Sequence, residues 1–103
     1  MKHERTPTFV ADFRRLAQEH QRQFLEVMSD FNEACERFTQ QPTGFRWPRR
    51  LRVSPMRSAP GILEMTWSFA SPDGRATFEF VKVDGDVLVR LRRVGDHTIY
   101  RKP

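Results

Sequence analysis

The stretch Leu91-Arg-Arg-Val-Gly-Asp-His-Thr-Ile-Tyr-Arg-Lys-Pro103 gathers arginines, a histidine and the only tyrosine of the chain into one short segment. Cleaving RNA without a metal requires a base to take the 2′-hydroxyl proton, cations to hold the pentavalent phosphate and a donor for the leaving oxygen. His97, Tyr100 and the nearby arginines are candidates for all three. A histidine beside arginines is also an ordinary solvated surface, and Arg90 and Arg92 fit a solvated strand face equally well, so the segment alone leaves both readings open. Other chemistries lack their residues. His3, His20 and His97 lie far apart, and no HExxH, CxxC, EF-hand, GxGxxG or P-loop pattern occurs. Neither a bound metal nor a nucleotide or other cofactor is expected.

The elements that must position these residues divide the chain into a helical half and a stranded half. Phe9, Phe13 and Leu16 recur at helical spacing, with Thr6 or Thr8 as a cap and Pro7 near the first turn. Phe24, Met28, Phe31, Cys35 and Phe38 form one apolar stripe over about four turns, which predicts a helix face packed on a sheet. A two-helix hairpin is therefore expected over about 8–40. Gln41-Pro-Thr-Gly44 breaks the pattern, and a sheet of about four strands is expected over about 50–101. A basic strand from Leu51 to Arg57 ends at Ser58-Ala-Pro-Gly61. Ile62 to Phe69 then alternates, with Leu63, Met65, Trp67 and Phe69 opposite Glu64, Thr66 and Ser68. Ser71-Pro-Asp-Gly74 reads as a turn, as does Asp84-Gly85. Between them Ala76, Phe78 and Phe80 oppose Arg75, Thr77 and Glu79; after them Val87, Val89 and Leu91 oppose Leu88, Arg90 and Arg92. The hairpin would cover the apolar face and leave a basic, hydroxyl-bearing face open to water.

Length and composition agree with this layout. A chain of 103 residues suits a single domain, 1–103, with one two-layer core, and nine Phe with two Trp argue for folding. The lone Cys35 closes no disulfide, and no signal peptide or long apolar run is present, so a cytoplasmic location without membrane association is expected. The net charge of +5 is uneven: residues 1–41 carry −1 and residues 42–103 carry +6. Phe45 to Arg57 holds five arginines and no acid, which suggests a polyanionic partner, nucleic acid or an acidic peptide.

The order of elements, together with LRVSPMRSAPG, GILEMTWSFASPDGRATFEF and DVLVRLRRVGDHTIYR, resembles the RelE/ParE superfamily of bacterial toxins. The resemblance spans essentially the whole chain and is closest from Leu51 to Pro103. It implies a helical hairpin on a twisted antiparallel sheet and, in the RelE-like branch, cleavage of mRNA in the ribosomal decoding site without metal. Carried over, the arginine opening the penultimate strand is Arg75, its counterpart before the terminal turn is Arg93, and Arg93-Val-Gly-Asp-His97 with Tyr100 has the form of the family's proton-transfer tail. The basic residues of the first core strand correspond to Arg52 and Arg57. Some members carry lysines there; arginine binds phosphate but does not release its proton, which moves acid-base work to His97 and Tyr100. The family's leading edge strand is short or absent in this sequence, and no C-terminal helix follows Tyr100.

The expectation is thus an α+β fold of the RelE type and a toxin of a type II toxin-antitoxin system, a ribosome-dependent mRNA endonuclease. His97, Arg75, Arg93 and Tyr100 would be catalytic, and Arg49, Arg50, Arg52, Arg57, Arg90 and Arg92 would grip RNA. The partners implied are a cognate antitoxin in a hetero-oligomer, the ribosome and mRNA. Two other readings use the same features: a ParE-like poison of DNA gyrase with no catalysis, and a basic binding module for an acidic peptide or RNA.

Overall fold

The structure, a computed structural model, describes residues 2–67 and 74–103, and the side chain of His97 falls outside the described residues. Thr6 opens α1 (Pro7–Arg15): its Oγ1 accepts the Phe9 N–H at 3.0 Å, and Pro7 occupies the first turn, where its missing N–H costs nothing. The chain turns at Leu16 and Ala17 into α2 (Gln18–Gln40). Gln21 reaches back from α2, donating its amide to the Phe13 carbonyl at 2.9 Å and the Leu16 carbonyl at 3.3 Å, and so serves carbonyls that the end of α1 leaves without helical partners. One side chain thereby closes the hairpin.

Among the described residues, five strands follow the order β1-β5-β4-β3-β2, with β1 at His3–Arg5, β2 at Ser54–Pro55, β3 at Leu63–Thr66, β4 at Arg75–Val83 and β5 at Asp86–Gly95. All neighbours are antiparallel except β1, which runs parallel to β5 with Glu4 opposite Arg90. The sheet is thus mixed and one strand larger than expected, because three residues ahead of α1 pair with β5. Asp84 and Gly85 both have positive φ, 51° and 85°, as a tight turn matching the strand twist requires.

The apolar stripe lies inward. Phe24, Phe31 and Cys35 are buried, and Phe31 meets Phe78 edge-on with centroids 4.8 Å apart. Met65, Trp67, Ala76, Phe78, Val89, Leu91 and Val94 present the sheet side of the same core. A bulge sets its end: Phe78 pairs with Leu91 and Thr77 with Arg93, so Arg92 is the extra residue of β5. The alternation expected along β5 holds from Val89 to Leu91, whereas Val87, also expected inside, is exposed. Beyond it the inserted residue lets Val94 return to the core.

Two expectations are corrected. The basic strand from Leu51 to Arg57 shrinks to Ser54–Pro55, because Pro48 leads into a 3₁₀ turn, η1 (Arg49–Leu51), and Arg52 then takes a left-handed φ of 46°. The face opposite the helices is not fully open: Thr66 is 7% exposed and Thr77 is completely covered. A second 3₁₀ helix, η2 (His97–Arg101), leads the C-terminal residues back over β4, where Thr77 Oγ1 donates to the Pro103 main-chain oxygen at 3.0 Å and Ile99 is buried. Phe69, Ser68 and the turn Ser71-Pro-Asp73 lie outside the described residues.

Candidate active site

Three strands and η2 bring together a set that includes one residue without a role in the sequence reading. Glu64 stands in the middle of β3, opposite Thr77 of β4 and Ser54 of β2. Ser54 Oγ donates to Glu64 Oε1 at 3.1 Å. From η2 the Tyr100 phenol hydrogen-bonds to both the Glu64 carboxylate and the Arg75 guanidinium. Arg75 opens β4, paired with Thr66 on one side and Gly95 on the other, and also donates to the Gly74 carbonyl at 3.3 Å. Burial, with the Glu64 carboxylate adding to it, pushes the Tyr100 phenol up to about 12; the Arg75 charge works the other way and is the smaller effect. The phenol is therefore protonated at neutral pH and serves as a donor, not a base.

The local sequence explains the assembly. Asp96 caps η2 by accepting the Thr98 N–H at 2.9 Å, and Gly95 leaves room for Ile99, whose Cγ2 would stand 3.0 Å from a Cβ at that position. Buried Ile99 anchors the turn next to Tyr100. The role expected of the His97 imidazole falls on a side chain outside the described residues.

The remaining arginines have other surroundings. Arg93 is engaged by Asp12: Nε donates to Asp12 Oδ2 at 2.6 Å and Nη2 to Asp12 Oδ1 at 3.1 Å. Arg92 pairs with Glu79 and donates from Nε to the Pro103 main-chain oxygen at 3.0 Å. Arg90 lies between Glu4 at 3.3 Å and Glu79 at 4.0 Å. Arg50 meets Asp30 of α2 at 2.6 Å. Arg49, Arg52 and Arg57 are exposed along the connection from α2 to β3. Among the described side chains of the expected set, only Arg75 and Tyr100 converge directly, and they do so on Glu64. The signal for Glu64 was a lone acid inside a strand otherwise flanked by arginines, which alternation alone assigns to solvent.

A groove of about 640 Å³ between α1, α2 and β1 shares no residue with this cluster; Phe9, Phe13, Phe24, Leu25 and Met28 line it, with Arg5 and Arg14 also contributing. Leu25 is 60% exposed there. Among the described residues, no helix is long and apolar enough to cross a membrane.

A helical hairpin on one face of a small sheet, with a short C-terminal turn crossing the other, defines an α+β fold of the RelE type. Among solved structures the chain is similar to the YoeB/ParE toxin from Agrobacterium tumefaciens, with a TM-score of 0.57 and 12% identity over 94% of this chain and 99% of that one. At such identity the fold is what the two share. No family model matches the chain, and no curated protein does.

Proposed function

We propose that this chain is the toxin of a toxin-antitoxin pair and cleaves mRNA on the ribosome by metal-independent acid-base catalysis. The observation that carries the reading is the convergence of Glu64, Arg75 and Tyr100 from three elements on one point of the sheet. A carboxylate, a guanidinium and a phenol held neutral are of little use together to a surface that only binds RNA.

In this mechanism Glu64, oriented by Ser54, takes the 2′-hydroxyl proton. The oxygen attacks the adjacent phosphorus, and Arg75 stabilises the charge that gathers on the phosphoryl oxygens. Tyr100 donates its phenol hydrogen to Glu64 and accepts from Arg75, and so holds the base and the guanidinium side by side. His97 gives the proton to the departing 5′-oxygen, since imidazole is the side chain whose ordinary pKa suits proton delivery near neutrality. Exposed Arg49, Arg52 and Arg57 contact the RNA backbone. The antitoxin takes the apolar groove between the helices and β1, where Arg5 and Arg14 favour an acidic segment.

A purified translation system with mapped mRNA ends tests the reading. Cleavage by the parent and its loss by about 10² to 10⁴ in Glu64→Gln, at unchanged ribosome binding, are expected. A parent that never cleaves and instead traps gyrase on DNA would replace the reading with the ParE-like one, which has no use for the cluster.

A further inference from the structure

Asp12 is a buried acid with no part in the chemistry above, and its surroundings are specific. The residue is 7% exposed, in the middle of α1, and its carboxylate accepts three hydrogen bonds: two from Arg93 and one from the Val94 N–H at 3.2 Å. A carboxylate in such a place is tolerated only with a full set of donors, and the bidentate guanidinium is the geometry that supplies most of it. Arg93 is occupied in turn. Two of its nitrogens face Asp12, and Nη1 donates to the Lys102 carbonyl at 3.2 Å, just past η2. The guanidinium is a bridge from α1 to the segment that follows Tyr100.

The bridge sits at the bulge. Arg92, the inserted residue, turns its carbonyl to Thr6 Oγ1, which donates at 2.7 Å, while the Thr6 N–H donates to the Leu91 carbonyl at 3.0 Å. Helix α1 is thus fastened to β5 at both its start and its middle, on either side of the point where the strand changes register. From Arg93 it is four residues to His97 and seven to Tyr100 along the chain, and the return contact at Lys102 closes the loop that contains both.

We infer that Asp12 and Arg93 form a positioning clasp: Asp12 commits Arg93 to holding the loop of Tyr100 against the sheet, so that Arg93 is a positioning residue and not a phosphate ligand. A phosphate reaching Nε and Nη2 would have to displace Asp12 and leave a buried carboxylate with the Val94 N–H but no cation. The kinetic part of this inference rests on the nuclease reading, and the structural part does not.

The single tyrosine makes both parts measurable. With 3-fluorotyrosine incorporated, one ¹⁹F resonance reports Tyr100, and fluorination lowers the phenol's pKa, which brings its titration to milder alkaline pH. Asp12→Asn, Arg93→Lys and the double variant, each checked for a cooperative melt above the assay temperature, should all lower the midpoint of that titration relative to the parent. In translation assays the three should lose kcat by similar factors, about 10 to 10², without additivity and with KM unchanged. A resonance that titrates as in the parent in all three variants overturns the clasp, and so does an Arg93→Lys variant that raises KM and steepens the salt dependence while Asp12→Asn does neither. If the parent does not cleave, the ¹⁹F titration alone decides the clasp, and the failure counts against the nuclease reading only.

Discussion

A guanidinium does different work according to what already holds it, and two arginines of this chain separate on that ground. Arg93 is bound to Asp12, whereas Arg75 opens β4 beside Tyr100 and Glu64. Arg75→Ala should therefore lower mRNA cleavage by about 10² to 10³, the scale of removing one preorganised charge stabiliser, with little change in melting. Unaltered toxicity at equal expression would remove Arg75 from the site. His97→Gln keeps hydrogen bonding and abolishes proton transfer, so it should reduce cleavage by about 10² to 10⁴ and leave ribosome association near the parent level. Primer extension on a translated message, beside ribosome co-sedimentation, separates the two effects. Cys35 needs no such test as a nucleophile, because burial pushes its thiol up to about 12.

At the scale of elements, the contacts between α2 and the sheet set the fold's tolerance. Phe31 has no exposed surface and packs edge-on to Phe78, so Phe31→Ala should cost about 3 to 5 kcal/mol, read by denaturant unfolding. A midpoint equal to the parent's would mean that the stripe is not core. The junction of β3 and β4 is tighter still. The Trp67 N–H donates to the Gly74 carbonyl at 3.2 Å, and a Cβ at Gly74 would fall 2.2 Å from Cε2 of the Trp67 indole. Gly74→Ala must displace either that ring or the strand pairing, and a loss of about 1 to 3 kcal/mol is expected in the same measurement. Full stability in this variant would show that Trp67 has room to move.

For the molecule as a whole, the joint between β1 and the core carries a pH dependence. His3 pairs with Val89 on β5, faces Phe31 at 6.4 Å between ring centroids, and buries Nε2 without a hydrogen-bond partner. Burial first, then the positive charges of the N-terminus and Arg5, lower its pKa from the ordinary 6.5. The unfolded chain then binds a proton more readily than the folded one. Stability is complete above pH 6.5, declines as the pH falls from there toward the lowered folded value, and levels off below it. Melting temperature measured from pH 6.5 down to about 4.5, where carboxylates begin to titrate, should fall in the parent and fall less in His3→Phe. Equal slopes would assign the dependence elsewhere.

The sequence alone determined those features whose cause is local. Helical spacing of Phe24, Phe31 and Cys35 marked a core face, Thr6 and Pro7 marked a helix start, and Asp84-Gly85 marked a turn, because periodicity, capping and positive φ each act over a few residues. Tertiary structure decided what depends on partners far along the chain. Arg75 and Arg93 are the same residue type in comparable strand positions, and no local pattern says that Asp12, 81 positions away, engages one of them. Alternation sent Thr66 and Thr77 to an open face, yet both are buried, and the C-terminal segment folds back onto Thr77. Glu64 likewise had the pattern of a solvated strand residue until Ser54 from β2 and Tyr100 from η2 were brought against it. Charge and hydrogen-bonding groups acquire their chemistry from neighbours within a few ångströms, and in this chain those neighbours are assembled by strand register and by the bulge at Arg92.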